Sequence, residues 1–565
     1  MKDNNEYVID KSSFEFVQSD SFIHDQKLET KPVGYLTDAW RRFRKNKGSV
    51  FAACIILVLF LFAIIGPIAS PYDVTFKDPY YKTTLPMCTA SMKNQNIDFW
   101  DGCSKKELSQ TMFDMYYAIN VETGQTAVKR GEYKVKSVDE VILKTVSKKG
   151  GKVTIEIPVT TNYYTFRLNS YYKIGNIYKI LTVEEYENIQ RYQDEHGVQI
   201  LYPVVAKKDR ITSVIDERDK SGAASKAYVS DEGNYWYKVK FNDYTENIKS
   251  YVPVADRDEN GNYINVYAKD STTEFDNYTS RMLIEGDTKQ YKYAIKNQSG
   301  YEVRINYYEY FCYTHAIAND GIKSPLFGFG TNGDGQDILT CLSKGARFSF
   351  MLALIVSLIN LVIGTIYGAI EGYYGGALDI VMERISDILG AIPLMIVLTL
   401  VRMQLSNPEY NLSIKSENIA IISLLISFLA TGWIGMAGSV RMQFYRYKNQ
   451  EYILAARTLG ASDGRIMFKH IFPNAIGTLI TGCVLVVPSV IFSESSLAYL
   501  GILDLSTSTS TSVGVLLANG EPYLSSYPHV ILFPALFIAL LMLSFNLFGN
   551  GLRDAFNPSL RGSEE

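Results

Sequence analysis

Histidine and cysteine are scarce in this 565-residue chain, and neither is grouped. The five histidines share no motif. The six cysteines (Cys54, Cys88, Cys103, Cys312, Cys341 and Cys483) form no CxxC pair and have no histidine at metal-ligand spacing, which argues against a structural zinc site. No GxxxxGK[ST] run is present, and Gly150-Gly151-Lys152-Val153 lacks both the spacing and the hydroxyl residue, so a P-loop is excluded. No nucleophile, base and orienting group stand together in a motif, which makes an enzyme a poor reading. Positive charge is not in excess either: the formal net charge is -3, whereas a dedicated nucleic-acid binder needs a concentrated positive field. The polar first 30 residues contain no apolar core, so nothing resembles a cleaved signal peptide.

What the chain does have is long apolar runs, crowded into its first tenth and its last two fifths. Residues 50–70 pass about 20 positions without a charge, enough for a hydrocarbon core about 30 Å thick. Lys31, Arg41, Arg42, Arg44, Lys45 and Lys47 precede this run, and the positive-inside rule then places residues 1–48 in the cytoplasm and residue 71 outside. Residues 32–47 mix Tyr35, Leu36, Trp40 and Phe43 with the basic side chains, as an amphipathic helix on the inner surface would. Further spans are expected at 348–370, 385–403, 418–437, 474–493 and 530–548. Six crossings return the tail, 551–565, to the cytoplasm. The charges agree with this phase: the loop after the fourth span carries Arg441, Arg446, Lys448, Arg457, Arg465 and Lys469, while 404–417 carries only Lys415. Asp387 and Pro393 interrupt the third span, which is expected to kink or to start later.

Residues 71–322 are too polar for a membrane and too long for a loop, so they are expected to fold as an inserted extracytoplasmic domain, mainly β or α+β. Val153, Ile155, Ile157 and Val159 alternate with polar neighbours, as do Tyr235, Tyr237, Val239 and Phe241, at the period of half-buried strands. Asn260-Gly261, between 251–254 and 263–267, is a hairpin signal. A helix is expected over 183–195, with Thr182 and Glu185 as a capping box. Residues 72–320 hold 29 of the 41 tyrosines, which suits strand packing and equally a recognition surface. In an oxidising compartment Cys88 and Cys103 would enclose a loop that a disulfide stabilises by roughly 3 kcal/mol; two separate thiols are the alternative.

The most informative segment is EYILAARTLGASDGRIMFKHIFPN, from Glu451 to Asn474. Ala455 and Ala456 present little bulk, Gly460 permits a tight turn, and a second amphipathic stretch with Ile466, Met467 and Phe468 runs to Pro473. Two short helices joined at a glycine, basic and close to the membrane, make a part suited to another protein's groove; the bland alternative is an ordinary basic loop. This segment resembles the EAA loop of bacterial ABC importer permeases, in the form of the oligopeptide and dipeptide branch. Ala455, Ala456, Gly460 and Pro473 match that motif; Leu454 stands where its glutamate is usual, and His470 and Phe472 replace its Ile and Leu. Other blocks agree in order. GTNGDGQD at 330–337 resembles the branch's GTD-x-x-GRD, with Asn332 and Gln336 as departures; then come Gly372 to Gly376 with Asp379, Arg384, Asp387 and Pro393, and ESSLAYLG from Glu494 to Gly501. The resemblance covers residues 31–72 and 325–562, and the inserted domain lies outside it.

The resemblance implies an α-helical integral membrane protein with the six transmembrane helices of the type I ABC importer permease fold: helix 1 at 49–70, helices 2–6 within 323–550, and a cytoplasmic coupling loop at about 438–473. It implies a transport subunit of a bacterial cytoplasmic membrane importer, without an ATPase site of its own. ATP and magnesium would be bound by two partner ATPase subunits, seated on Glu451, Ala455, Ala456, Arg457, Gly460, Ala461, Ser462 and Asp463. The remaining implied partners are a second homologous permease subunit and an extracytoplasmic lipoprotein that delivers oligopeptides or dipeptides. Ionisable residues at membrane depth are candidates for the pathway or its gate, here Glu494, Asp387 and Arg384; Arg384 and Asp387, three residues apart, equally suit an ion pair on one helix face. Competing readings are an importer of another solute such as nickel, a membrane receptor with a ligand-binding ectodomain, and a self-sufficient channel.

Overall fold

The computed structural model describes residues 35–89, 100–129, 134–148, 151–202, 236–240, 249–253, 255–257, 263–265, 282–285, 288–291, 295–297, 300–407, 416–503, 505 and 511–556. Helix α1 (Tyr35–Lys45) is amphipathic: Ala39 and Phe43 are buried while Trp40 and the arginine face stay out. Asn46 ends it and caps α2 (Lys47–Ala69) by accepting from Ser49 N at 3.2 Å. Only the stripe Ser49, Ala52, Leu59 and Ala63 of α2 is buried; Phe51, Leu57, Val58 and Ile68 face outward, as on a helix bathed in hydrocarbon.

After the inserted segment come α6 (Ile338–Tyr374), α7 (Gly376–Gly390), α8 (Leu394–Leu405), α9 (Ser416–Thr431), α10 (Ile434–Tyr447), α11 (Glu451–Thr458), α12 (Asp463–Tyr499), α13 (Val513–Gly520) and α14 (His529–Phe556). Among the described residues five helical stretches are long and apolar enough to cross a membrane. The sixth candidate is the pair α7 and α8, bent by 75°. The kink expected in the third span at 385–403 lies here: Pro393 cannot supply a helical N–H, and the chain turns through Ala391 and Ile392 before α8 starts. The other spans lie where the apolar runs put them but outlast them. α6 has 37 residues against the 23 expected, and α12 starts at Asp463 rather than near 474, because helix geometry continues past the hydrocarbon-compatible stretch.

α6 packs backbone to backbone against α10. Gly364, Gly368 and Gly372 recur every four residues on α6, and a Cβ at these positions would stand 2.8 Å from Trp433 O, 2.2 Å from Ala437 O and 2.7 Å from Arg441 O. Only hydrogen fits between these backbones, which is the small-xxx-small solution for helices that gain no hydrophobic drive from lipid. α2, α6, α9, α12, α13 and α14 surround one apolar core that includes Leu59, Phe350, Val356, Leu424, Ile491 and Leu541.

The inserted segment holds β1 (Cys103–Ser109), α3 (Gln110–Thr123), β2 (Lys134–Lys148), β3 (Gly151–Asn169), β4 (Asn176–Leu181), α4 (Val183–His196), β5 (Leu201–Tyr202), β6 (Trp236–Lys240), β7 (Lys249–Pro253), β8 (Ala255–Arg257), β9 (Tyr263–Asn265), β10 (Met282–Glu285), β11 (Thr288–Tyr291), β12 (Ile295–Asn297), β13 (Gly300–Asn306) and α5 (Tyr307–Ala318). β1, β3 and β2 form one antiparallel sheet in that order, with Lys148 opposite Gly151 in a long hairpin. β12, β13 and β4 form another, with β5 added to β13. The alternating run at 153–159 lies on β3, and Tyr237 and Val239 lie on β6, while Tyr235 and Phe241 are outside the described residues; α4 carries the capping box, Glu185 N reaching Thr182 Oγ1 at 3.2 Å. The Asn260-Gly261 turn lies outside the described residues. The strand paired with β9 is β8 rather than 251–254, because Tyr251 is opposite Lys238 in β7 and β6. Tyr81, Tyr171, Tyr186, Tyr202 and Tyr307 are buried, so these five serve packing.

This segment closes on its own two connections. Tyr72, Tyr81 and Met87, which follow α2, share a core with Ile177, Ile189, Ile305 and with Ile322 and Phe327, which precede α6. The GTNGDGQD run clasps the other strand of the connection: Thr84 N donates to Thr331 Oγ1 (2.8 Å), Thr83 N to Asn332 O (3.0 Å) and Asp78 N to Gly335 O (3.2 Å). Gly335 has φ +78°, and a Cβ there would lie 1.9 Å from Asp78 O, so only glycine fits. Trp100 and Phe329 stack with Phe533 of α14, joining the segment to the helix bundle. Of the two alternatives for Cys88 and Cys103, the structure has separate thiols, with Cys103 Sγ pointing to Asp101 O at 3.6 Å.

Candidate coupling site

The EAA-like segment folds as a helical elbow. Gln450 starts α11, and Leu459 and Gly460 end it. Gly460 takes φ +81° and donates to Arg457 O (3.0 Å), while Ala461 N reaches Ala456 O (3.1 Å), the paired bonds of a Schellman closure. Ser462 then leads into α12, whose residues Ile466–Ile471 are wound as a π-helix. The inner side of the elbow is apolar and closed: Ile453, Ile466 and Ile471 are fully buried against Tyr373, Val440 and Phe444. The outer side is apolar and open. Leu459, at its apex, is 88% exposed and Phe468 59%, and Tyr452 and Leu454 are exposed beside them. Glu451, Ala455, Arg457, Gly460, Ser462 and Asp463 lie on the surface, and Ala456 and Ala461 are half-buried.

Two polar contacts fasten the elbow to α6. Tyr373 OH donates to Asp463 Oδ1 at 2.6 Å, and Arg457 donates to Tyr373 OH at 3.4 Å with its guanidinium 5.8 Å from the ring centroid. Beyond Tyr373 the chain turns through Gly375 and Gly376 into α7, which a charge network holds on α10. Arg441 donates to both oxygens of Asp379 (2.6 and 3.0 Å) and to both of Glu383 (2.8 and 3.2 Å), with Glu371 at 3.5 Å. Tyr445 OH also donates to Asp379, at 2.5 Å, and Lys448 bonds Gly372 O at 3.0 Å. A planar guanidinium suits two carboxylates at once, which a point charge cannot do. Arg441 enters the sequence reading only as one positive-inside charge; its partners, Asp379 and Glu383, are a turn apart, and no local pattern ties them to a residue about 60 positions later.

The three gate candidates do not form one cluster. Arg384 and Asp387 bond each other on α7 at 2.9 Å and are largely exposed, the helix-face ion pair that their spacing permits. Glu494 is completely buried on α12, where Ser349 Oγ of α6 donates to its Oε2 at 2.9 Å and Ser495 Oγ lies 3.4 Å away.

Residues 361–562 match the family described as binding-protein-dependent transport system inner membrane component, and residues 34–86 match the N-terminal transmembrane domain of oligopeptide transport permease C. The chain is 40% identical over 248 residues to the oligopeptide transport system permease protein OppC of Bacillus subtilis, covering 44% of this chain and 77% of that one. It is 39% identical over 234 residues to the dipeptide transport system permease protein DppC of the same organism, covering 41% and 69%. Among solved structures, a methionine ABC transporter in an inward-facing conformation aligns with 38% of this chain and 96% of its own, at 18% identity and a TM-score of 0.31.

Proposed function

Since the chain belongs to the oligopeptide and dipeptide permeases of the binding-protein-dependent ABC importers, we propose that it forms half of a peptide pathway across a bacterial cytoplasmic membrane. A second, homologous permease subunit supplies the other half. Two ATPase subunits, which carry the ATP and magnesium, seat on the elbow formed by α11, Gly460 and the start of α12. An extracytoplasmic lipoprotein delivers the peptide to the outer face, where residues 71–322 stand, and both chain termini are cytoplasmic. This chain performs no chemistry: the ATPases close on ATP, the elbow tilts, and the permease pair switches between two rigid arrangements.

The observation that carries this reading is the open apolar rim of the elbow. Leu459, Phe468, Leu454 and Tyr452 are presented to solvent on an otherwise basic loop, next to a fully packed inner side. An exposed apolar patch with a polar surround marks an interaction site. The experiment is a cysteine at Leu459 in the assembled importer: it should crosslink to an ATPase subunit, and L459D should abolish peptide uptake while this chain still inserts. Absence of any crosslink, with uptake unaffected by L459D, would refute the reading.

A further inference from the structure

Tyr373 holds both arms of the elbow at once. The residue is 6% exposed and shares the apolar inner side with Ile453 of α11 and with Ile466 and Ile471 of α12. Its hydroxyl lies between the arms: it donates to Asp463 Oδ1 at the start of α12 (2.6 Å) and accepts from Arg457 Nη2 near the end of α11 (3.4 Å). The Arg457 guanidinium also stands 5.8 Å from the centroid of the Tyr373 ring. Gly460 joins the two arms at φ +81°, and a methyl group there would meet nothing within 4 Å, so no packing at the joint itself sets the angle between them. The apolar inner side adds stability but no direction. The hydrogen bond from Tyr373 to the Asp463 carboxylate is both directional and charge-assisted.

The other end of that bond is anchored in the bundle. Tyr373 stands in the last turn of α6, the helix that meets the backbone of α10 at Gly364, Gly368 and Gly372. α10 in turn holds α7, because Arg441 grips Asp379 and Glu383. Three helices are thus tied together beyond Tyr373 by contacts that leave little room to slide: backbone against backbone in one case and a forked guanidinium in the other. A displacement delivered to Tyr373 reaches all three.

We propose that Tyr373 is a positioning residue for transport: its hydroxyl fixes the angle of the elbow and passes the elbow's motion to α6. This rests on the importer reading above. With the hydroxyl in place, α11, α12 and α6 move as one piece when the ATPases close; without it, the elbow flexes at Gly460 and the bundle lags, so that ATP is hydrolysed while the peptide stays behind.

The test uses the whole importer, with both permeases, both ATPases and the binding protein, reconstituted in liposomes. Peptide uptake and ATP hydrolysis are measured in the same preparation for Y373F, which deletes the hydroxyl and keeps the packed ring, for D463A, and for the two combined. In Y373F, uptake per ATP should fall about tenfold, the scale set by losing one charge-assisted hydrogen bond from a two-state equilibrium, while hydrolysis persists and the L459C crosslink to an ATPase still forms. Asp463 also lies at the ATPase seat, so D463A alone is ambiguous; adding Y373F to it should lower the ratio by less than about twofold, because both changes remove the same bond. An unchanged ratio in Y373F overturns the proposal. So do a parallel loss of uptake and hydrolysis in Y373F, fully additive losses in the combined variant, or failure of Y373F to assemble, which would make the hydroxyl a matter of folding. Failure of L459C to crosslink to an ATPase in the otherwise unaltered importer would instead defeat the importer reading.

Discussion

Replacing Gly368 by alanine adds a single methyl group where the backbones of α6 and α10 meet. That Cβ would lie 2.2 Å from Ala437 O, with Ala437 C and Val440 Cβ both 2.9 Å away. The oxygen belongs to the backbone of α10, so no rotamer change relieves the clash, and α10 must retreat by about 1 Å to restore ordinary contact. Such a retreat also loosens the Gly364 and Gly372 contacts one turn to either side. Overpacking of this kind costs roughly 1–3 kcal/mol, and because about 1 kcal/mol is returned by alanine's better helix propensity, a net loss of up to about 2 kcal/mol is expected, or about 1–3 kcal/mol relative to an unobstructed glycine-to-alanine change. Gly438, on α10 itself, is the control: a methyl added there would meet nothing within 4 Å, so G438A should be neutral or stabilising by up to about 1 kcal/mol. Thermal unfolding of the solubilised protein, followed by size-exclusion recovery of the monodisperse fraction, reads both variants. G368A as stable as G438A would refute a backbone-to-backbone contact between α6 and α10.

R441A strands Asp379 and Glu371, both buried, without their guanidinium, and should destabilise by about 3–5 kcal/mol; R441K should recover only part in the same melting assay, since an ammonium cannot grip two carboxylates in forked fashion. Burial raises the carboxyl of Asp337, the residue capping α6, to about 6, against the bonds from Thr340 that favour its charged form. The folded state therefore holds a proton that the unfolded chain has released, so stability should decline as pH rises from about 4 to about 6 and level off above; D337N should flatten that slope in melts at pH 5 and 7.5. Burial, with Asp101 adding to it, pushes the Cys103 thiol up to about 12, so it should stay protonated at pH 8 and alkylate more slowly with iodoacetamide than a free cysteine. G460A should fold normally at a cost of about 1 kcal/mol, because the methyl meets no neighbour and only the left-handed backbone resists it; a collapse of expression would mean that the elbow is packed more tightly than its geometry indicates.

Legibility in the sequence follows the range of the physics. Apolar runs of bilayer length, the flanking lysines and arginines, the period-two alternation at 153–159 and the Thr182/Glu185 cap are all written within a few consecutive residues, and all of them appear in the fold. The elbow is legible for the same reason: Ala-Ala, the Schellman glycine and the amphipathic turns are local. Expectations that depend on how far a helix persists, or on which strand meets which, depart from the structure. α6 runs 37 residues against the 23 that its apolar run marks, and α12 begins at Asp463 rather than near 474, whereas the kink expected in the 385–403 run from Pro393 is there as the 75° bend. The partner of β9 differs from the strand that alternation suggests, because pairing depends on register across strands rather than on the pattern within one.

By itself the sequence determined which stretches can enter a membrane, that one segment carries a glycine-jointed elbow, and which family these blocks resemble; each rests on hydropathy, periodicity or short spacing. Only the tertiary structure decided that Arg441 grips Asp379 and Glu383, that three glycines of α6 admit the backbone of α10, and that Glu494 joins Ser349 in the interior. Those contacts bring together residues tens to more than a hundred positions apart. Their energies depend on burial and mutual distance, quantities that exist only once the helices have packed.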